Sequence, residues 1–307
     1  MQIASRLITY NAHSRENPPQ ITVAAGEEFM AQTELCTGSW LHSLADTWSP
    51  EKTNALNPTV CVGVADAHPG DILAVHIREI IPDALGYTGF NDQKNPLAGR
   101  IKARTWGLNV KTVAITAEGI RWNDQLSLPV RPMIGTLGTA PAGEARSNAW
   151  GGLHGGNMDV QEIRAGTTVY LPVFVEGALL HIGDVHALQG DGEINCSGGI
   201  ECRAEVRLSA DLIRQARPLR CVRAEDSESL MTIACGRGLT RTFQTATGEL
   251  LDWICRDYGI PVNDAYLLLG QVMQARCTQF VNPTRSYICK IPKRYLPLRS
   301  SPQPMTP

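Results

Sequence analysis

Short apolar stretches with a period of two constrain this chain more than any other feature of its sequence. In the first of them, Leu73, Val75 and Ile77 fall on one side of the chain. The same alternation returns over 168–175 and 202–208, and glycines flank these stretches. No long helical pattern precedes about residue 210. We therefore predict a mainly β fold with an antiparallel β-sandwich or jelly-roll-like core.

The last third of the chain has helical spacing. Apolar residues recur at this spacing over 247–258, with Thr247 as the expected N-cap and Gly259 as the stop. A second helix is expected from residue 263 or 264 to about Ala275. The residues that this second helix is expected to bury are Tyr266, Leu269, Val272 and Met273.

These patterns divide the chain into three expected parts. Two short strands, 279–281 and 286–291, follow the helices around an Asn-Pro turn. We expect a β-sandwich core over 1–214, a smaller α+β portion over 215–299 and a flexible, proline-rich tail over 300–307.

Charge and hydropathy exclude several classes of partner. With 28 Lys and Arg against 30 Asp and Glu, the chain lacks the basic field that follows a nucleic-acid backbone. No stretch approaches the roughly 18 uncharged apolar residues of a membrane span, and the first residues lack the apolar core of a signal peptide. We expect a cytoplasmic protein that binds neither nucleic acid nor membrane. Its nine cysteines form no Cys-x-x-Cys pair, which predicts reduced, mostly buried thiols.

Ligating side chains are densest between residues 181 and 193. The segment holds His181, Asp184, His186, Asp191 and Glu193. In an extended strand, Asp184 and His186 share a face and lie about 6.6 Å apart along the strand, so both could bind one cation. An Asp, His and Glu set suits zinc with an open water position, whereas calcium needs six to eight oxygen ligands. The alternative is a purely structural polar network in which Asp191 serves a Gly-Asp-Gly turn.

Two other polar segments have weaker chemical signals. Glycines around Asn157 in the run His154–Asp159 let backbone N–H groups approach a ligand, although a flexible loop explains the same composition. The run 132–143 is rich in glycine but lacks the lysine of a phosphate-binding loop. Cys36 and Cys196 neighbour polar segments and are candidate nucleophiles, with buried apolar residues as the alternative.

Taken in order, five stretches resemble the acetamidase/formamidase family of metal-dependent amidohydrolases. Two of them are specific, the Gly-Asn-x-Asp of His154–Asp159 and the GDxHAxQGDGE run over Gly183–Glu193. The stretches that carry the resemblance are Asn57-Pro with 69–75, 132–141, His154–Asp159, 171–175 with Gly183–Glu193, and 264–266 with 291–293.

The resemblance implies hydrolysis of a short aliphatic amide to a carboxylate and ammonia by a homodimer or larger homo-oligomer. It also implies a divalent metal, zinc or alternatively calcium. The site residues that it implies are Asn157, Asp159, Asp184, His186, Gln189, Asp191 and Glu193, and His181 lies outside the shared pattern.

One N-terminal position departs from the family pattern. Cys36 stands where many members carry an aspartate, unless Asp46 takes that role. Loss of a carboxylate ligand there would change the affinity for the metal or the preference among metals. It would also suit a divergent member that acts on another C–N bond, such as a lactam or a ureide.

A mechanism follows from these expectations. An amide needs its carbonyl polarised, its water activated and its departing nitrogen protonated. We expect Asp184 and His186 to hold the metal, with Glu193 as a further ligand or as the group that carries the proton from water to the amine. Asn157, with the glycine amides beside it, would stabilise the oxyanion, and Asp159 could exchange roles with Glu193.

Two alternatives belong to other classes. A cysteine-nucleophile amidase would need Cys36 or Cys196 as an exposed, activated thiolate. A non-catalytic protein that binds a metal or a small molecule would keep the fold and release no ammonia.

Overall fold

The computed structural model describes residues 1–92, 95–97, 99–102, 108–195, 197–214 and 217–298. Cys196 and the tail over 300–307 lie outside the described residues, so the expectations placed on them stay predictions.

Strands make up most of the regular structure. The strands of the described ranges are, in chain order, β1 (Gln2–Ala4), β2 (Ala12–His13), β3 (Ile21–Val23), β4 (Glu28–Thr33), β5 (Thr59–Val64), β6 (Ile72–Asn91), β7 (Leu108–Thr116), β8 (Gly119–Arg121), β9 (Ser127–Leu128), β10 (Met133–Thr139), β11 (Arg146–Ser147), β12 (Gly151–Gly152), β13 (Gly155–Asn157), β14 (Thr168–Pro172), β15 (Leu180–His186), β16 (Glu201–Ile213), β17 (Val222–Glu225), β18 (Ser229–Gly236), β19 (Gln274–Gln279) and β20 (Arg285–Pro292). Two α-helices, α1 (Leu239–Tyr258) and α2 (Val262–Val272), lie between β18 and β19.

Hydrogen bonds join these strands into one curled, mainly antiparallel sheet. Within the described ranges, only β2 and β11 pair apart from it, and β1–β4 and β3–β5 are parallel pairs. The long strand β6 pairs with β16 over most of its length, with β14 at its start and with β7 at its end. The predicted mainly antiparallel β class with a smaller helical C-terminal part is confirmed.

The period of two identifies the core correctly. Leu73, Val75 and Ile77 on β6 are buried, as are the alternate residues of β16 from Cys202 to Leu208. The strand expected over 168–175 is shorter, because it ends at Pro172. The eight described cysteines are free, and most of them are buried.

The first helix begins earlier than the sequence predicts. Thr247 is not the N-cap but lies inside α1, which starts at Leu239 after Gly238. The first two turns are rich in Thr, Arg and Gln, so they show little apolar periodicity, although Thr242 and Ala246 are buried there. The end is as expected, since Gly259 adopts a left-handed conformation with φ of 66°.

The second helix and the strands after it differ in detail from the expectation. Helix α2 ends at Val272, before Ala275, and it buries Leu269 but leaves Tyr266 65% exposed. The strand expected over 279–281 lies earlier, at β19, and β20 extends the one expected over 286–291. The reason is that the chain turns extended at Met273 and pairs at once with β20.

The helices pack on the same sheet as the N-terminal strands. Trp253 and Ile254 of α1 join an apolar cluster with Leu230 of β18 and Ile291 of β20. Strand β17 pairs with β14, so the sheet continues across the expected boundary at 214/215, and that division stays a prediction. Neither helix of the described chain combines the length and the apolar character that crossing a bilayer requires.

Three histidine rings cluster in the interior. The ring of His13 lies between those of His154 and His181, with centroids 5.1 and 4.6 Å away. Burial lowers the pKa of His13 well below its usual range, that of His154 to about 4 and that of His181 to about 3. All three imidazoles are therefore neutral in the folded protein near neutral pH.

This cluster of buried histidines predicts a loss of stability in mild acid. Unfolded histidines bind protons at their ordinary pKa of 6.5, so stability is fully present above that pH and falls as the pH drops towards the lower folded values. Between about pH 7.5 and about pH 5, each buried histidine should lower the free energy of unfolding by about 2 kcal/mol. Urea unfolding at both pH values measures this for the wild type and for His13→Phe. The variant should lose about 2 kcal/mol less on acidification, and equal losses would contradict the prediction.

Candidate active site

Strands β13, β15 and β16 and the connections that follow β4, β13 and β15 bring polar side chains to one buried point. Strand β15 supplies Asp184 and His186, and β16 begins there with Glu201, which pairs with His186 in register. Strand β13 ends at Asn157, and Asp159 follows it. The loops contribute Cys36 after β4, Asn57 before β5, and Gln189 and Glu193 after β15. Apart from the half-buried Asn57, all of these residues are buried.

The backbone adopts unusual conformations at this point. Seven described residues other than glycine have a positive φ, and four of them belong to the site: Asn57 (43°), Asp159 (49°), Asp184 (60°) and Glu193 (42°). Such left-handed conformations cost roughly 1–2 kcal/mol for a residue with a Cβ, and they concentrate at functional sites. The clustering makes this part of the sheet a candidate functional site independently of its chemistry.

Gly135 on β10 makes room for two carboxylates. A Cβ at this position would lie 2.6 Å from Asp159 Oδ1 and 2.7 Å from Asp184 Oδ2. Thr136, the next residue, donates from Oγ1 to Asp184 Oδ2 over 3.1 Å. Gly135 and Thr136 of β10 therefore lie directly against the carboxylates of the site.

Gln189 fixes the orientation of His186. Its amide nitrogen donates to the carbonyl oxygen of Asp159 over 2.9 Å, which leaves its Oε1 facing His186 Nδ1 at 2.7 Å. Nδ1 therefore carries a hydrogen, and Nε2 points at Glu201 Oε1 (3.3 Å) and Asp184 Oδ1 (3.6 Å). An imidazole lone pair that faces two carboxylates calls for a cation between them, either a proton or a metal ion.

Asn157 joins the other two sides of the cluster. The hydrogen bonds around its amide are satisfied when the nitrogen faces the carboxylates. The nitrogen then donates to Asp159 Oδ2 (2.8 Å) and Asp184 Oδ2 (3.1 Å). In this orientation its oxygen accepts from Asn57 Nδ2 (2.9 Å) and from Asn282 Nδ2 (3.2 Å). Asn282 also donates to Asp159 Oδ2 over 2.7 Å. Both carboxylates are thus held by side-chain amides.

The site concentrates negative charge. Across the described residues, the ion pairs of its carboxyl groups run only to His186. Burial and the neighbouring Asp184 raise the pKa of Asp159 to about 7, while burial and Asp159 raise the pKa of Glu193 well above its usual range. Burial also raises the pKa of Glu201. His186 shows the opposite response, since Glu201 and Asp184 outweigh burial and raise its pKa.

The donor atoms fit a divalent cation. Ligand atoms of Asp159, Asp184 and His186 lie within 4.8 Å of one another, and so do those of Cys36, Asp184 and Glu201. Within the described chain, His186 Nε2, Glu193 Oε2 and Glu201 Oε2 are buried without a hydrogen-bond partner. Unsatisfied acceptors in a dry site are costly, and a cation would satisfy them.

Most residues expected at the site meet there, and some do not. Asn157, Asp159, Asp184, His186, Gln189 and Glu193 converge. Asp191 lies at the surface instead, with Oδ1 bound to Arg276 Nε at 2.7 Å. The run His154–Asp159 is not a flexible loop, since Gly155–Asn157 is strand β13.

Cys36, not Asp46, occupies the site. The Asp46 carboxylate accepts from the backbone of His42 and Ser43 in an exposed turn. Burial, with Glu201 and Asp184 nearby, raises the pKa of Cys36 well above its usual range, which disfavours the free thiolate that a cysteine nucleophile needs.

Sequence reasoning missed Glu201 and Asn282. The alternation of β16 places Cys202 and Ala204 in the core and so assigns Glu201 to the opposite, polar face, yet the curled sheet buries both faces where β16 begins. Asn282 lies in a turn about 120 residues from Asp159, a distance at which no spacing rule applies. The Gly198-Gly199 pair just before Glu201 is the one available signal, because a Cβ at Gly198 would lie 2.5 Å from Glu193 Oε1.

Known proteins resemble this chain in sequence and in fold. Residues 144–223 match the model of the Acetamidase/Formamidase family. The chain is 48% identical over 61 residues to an acetamidase of Mycolicibacterium smegmatis and 29% identical over 147 residues to a putative formamidase of Schizosaccharomyces pombe. These alignments cover 20% and 48% of this chain, and they span only 15% and 32% of those relatives.

Solved structures match over almost the whole chain. A predicted acetamidase/formamidase from Thermoanaerobacter tengcongensis is 31% identical, with a TM-score of 0.89 over 96% of both chains. An acetamidase from Bacillus halodurans is 29% identical, with a TM-score of 0.88 over 95% of this chain and 98% of its own. A γ-lactamase from Delftia acidovorans, 20% identical with a TM-score of 0.62 over 96% of this chain and 91% of its own, shares the fold.

The fold and its buried acidic site thus define a mainly β protein of the amidase-like class. The chain belongs to the acetamidase/formamidase family.

The tight approach at Gly135 predicts that alanine there damages the site. Gly135→Ala should force the carboxylates of Asp159 and Asp184 apart and lower the free energy of unfolding by about 1–3 kcal/mol. Gly190→Ala is the matched control, because Gly190 is exposed with open space around its Cα. Urea unfolding and bound-metal analysis of both variants check this. An unchanged Gly135→Ala protein would contradict the close packing.

Proposed function

We propose that the protein is a metal-dependent amidohydrolase that releases ammonia from a short aliphatic amide of the formamide or acetamide type. The observation that carries the proposal is the position of His186 Nε2, which faces two buried carboxylates in a chain of this family. The acetamidase and formamidase names of its relatives support the substrate class.

We propose that a surface cleft is the substrate's route towards the site. It has a volume of about 610 Å³ and is lined by residues that flank Cys36 and Asn57, among them Gly38, Ala55 and Pro58. A primary amide of two or three carbons is small and uncharged, so it suits a narrow approach to a buried centre. In this proposal the amide enters beside Asn57.

Asp184, His186 and Asp159 would hold the cation, and Cys36 and Glu201 form a second group of donors that shares Asp184. When bound, a divalent cation such as zinc polarises a carbonyl oxygen and makes water easier to deprotonate. Calcium is the alternative, although this donor set includes an imidazole and a thiol that calcium does not prefer.

Glu193 is the proton carrier in this proposal. Its carboxyl group lies beside Asp159, and its Oε2 has no partner among the described residues. Burial and Asp159 raise the pKa of Glu193, and a raised pKa makes its carboxylate a stronger base. Glu193 accepts the proton of the attacking water in this mechanism and delivers it to the departing nitrogen.

Asn157 acts by position. Because its amide hydrogens face Asp159 and Asp184, it orients these carboxylates and has no free hydrogen for the oxyanion role that the resemblance suggested. Gln189 does the same for His186. These amides keep the donor atoms in place before substrate arrives.

Removal of the proton carrier is expected to abolish most of the turnover. Glu193→Gln should lower kcat about a hundredfold or more with the fold retained, because the amide has nearly the shape of the carboxyl group but cannot accept the proton. The matched control is Glu205→Gln on β16, where the side chain accepts a hydrogen bond from Gln32 Nε2. Ammonia release and circular dichroism are measured on both variants. Near-wild-type turnover of Glu193→Gln would remove this role.

Metal removal tests the proposal as a whole. Chelation should abolish ammonia release from formamide, acetamide and propionamide, and stoichiometric zinc should restore it. Metal content is measured by mass spectrometry at each stage. Full activity of the metal-free protein would overturn the proposed mechanism. Metal binding with hydrolysis of a γ-lactam alone would show that the substrate contains another kind of C–N bond. Metal binding without any hydrolysis would indicate a binding protein.

We further propose that the protein works in the cytoplasm as a homodimer or larger homo-oligomer. Its composition and its family support this, and light scattering on the purified protein measures the mass. A monomeric mass with full activity would overturn the oligomer.

A further inference from the structure

Cys36 belongs to a second group of donors that shares Asp184 with the first. Its Sγ, a carboxylate oxygen of Asp184 and one of Glu201 lie within 4.8 Å of one another. Glu201 Oε1 also lies 3.3 Å from His186 Nε2. The sulfur therefore stands at the same centre as the imidazole, across a shared carboxylate.

Near Cys36, one further atom that could bind a metal lacks a hydrogen-bond partner. Glu201 is 3% exposed, and its Oε2 has no hydrogen-bond partner in the described part of the chain. The Cys36 thiol and the Glu201 carboxyl group share a hydrogen bond, yet Oε2 stays unsatisfied. A cation between the sulfur and the carboxylate would replace the thiol proton and satisfy Oε2 as well.

A chain of hydrogen bonds holds the sulfur in place. Tyr87 OH lies 3.0 Å from Cys36 Sγ and 2.8 Å from Thr37 Oγ1. Thr37 Oγ1 accepts in turn from Trp40 Nε1 over 2.8 Å. Partners of this kind orient metal ligands.

We propose that Cys36 is a sulfur ligand of the cation at this centre and makes the centre select a thiophilic transition metal over calcium. The proposal rests on the proposed metal-dependent function. On binding, the Cys36 S–H bond breaks, a sulfur–metal bond forms and the proton passes to solvent, with no change of oxidation state. Thiolates favour zinc and its analogues, while carboxylate and carbonyl oxygens alone favour calcium or magnesium.

Cobalt(II) reports the sulfur directly. The full chain is stripped of metal and loaded with one equivalent of cobalt(II), and the near-ultraviolet spectrum is recorded for a thiolate-to-cobalt charge-transfer band. We expect the band in the wild type and its complete loss in Cys36→Ser. Cys36→Asp should still bind cobalt, without the band. The apparent Kd for zinc should rise at least 10–100-fold in Cys36→Ser, the loss typical even of an outer-shell partner.

Two further cysteines serve as controls. Cys61→Ala removes a thiol that is buried in a separate apolar cluster, and it should keep the band. Cys196→Ser removes the cysteine outside the described residues and should also keep it. Loss of the band in Cys196→Ser but not in Cys36→Ser would overturn the proposal, as would bound cobalt without any band in the wild type.

X-ray absorption of the zinc-loaded wild type covers the case in which Cys36→Ser fails to fold. One sulfur at about 2.3 Å that persists in Cys196→Ser supports the proposal, whereas nitrogen and oxygen alone at about 2.0–2.1 Å overturn it. The readout is independent of catalysis. A charge-transfer band without amide hydrolysis would overturn the proposed function but support Cys36 as a ligand. Amide hydrolysis without the band would support the function but overturn Cys36 as a ligand.

Discussion

The structure is organised around buried negative charge that has too few positive partners. Asp159, Asp184, Glu193 and Glu201 surround the one imidazole of His186, and among the described residues no lysine or arginine forms an ion pair with them. Uncompensated carboxylates in a dry interior repel one another and lose their hydration. Protons or a cation must supply the missing charge, so the ability to bind either is built into the packing of the site.

A rigid surrounding sheet makes such a site possible. Left-handed conformations at Asp159, Asp184 and Glu193 cost free energy. The pairing of β16 with β6 over most of its length and the apolar core beneath it hold the backbone in place. Most of the stability therefore comes from residues with no part in the chemistry, and the site uses some of that stability.

The sheet was predictable from the sequence, and the geometry of the site was not. Alternation along Leu73–Ile77 identified a strand because one face of it touches the core. Asp184 and His186 do meet, but not as neighbours on one face of a regular strand, since Asp184 has φ of 60° and its carboxylate turns towards Nε2. Positive φ at a residue other than glycine depends on the tertiary surroundings, so no local pattern reveals it. The burial of Glu201 could not be predicted for a related reason, since it depends on the closure of the sheet.

The C-terminal strands complete the site. Asn282, in the turn between β19 and β20, donates to Asp159, and the carbonyl oxygen of Thr278 on β19 accepts from the amide of Gln189 at 3.4 Å. Gln189 in turn fixes His186. Two of the groups that orient the donor atoms thus come from the portion after residue 215. Strands β18 and β20 pair along eight residues, and α1 and α2 pack against them. The α+β portion is therefore a structural part of the site and not an appendage to a self-sufficient β core.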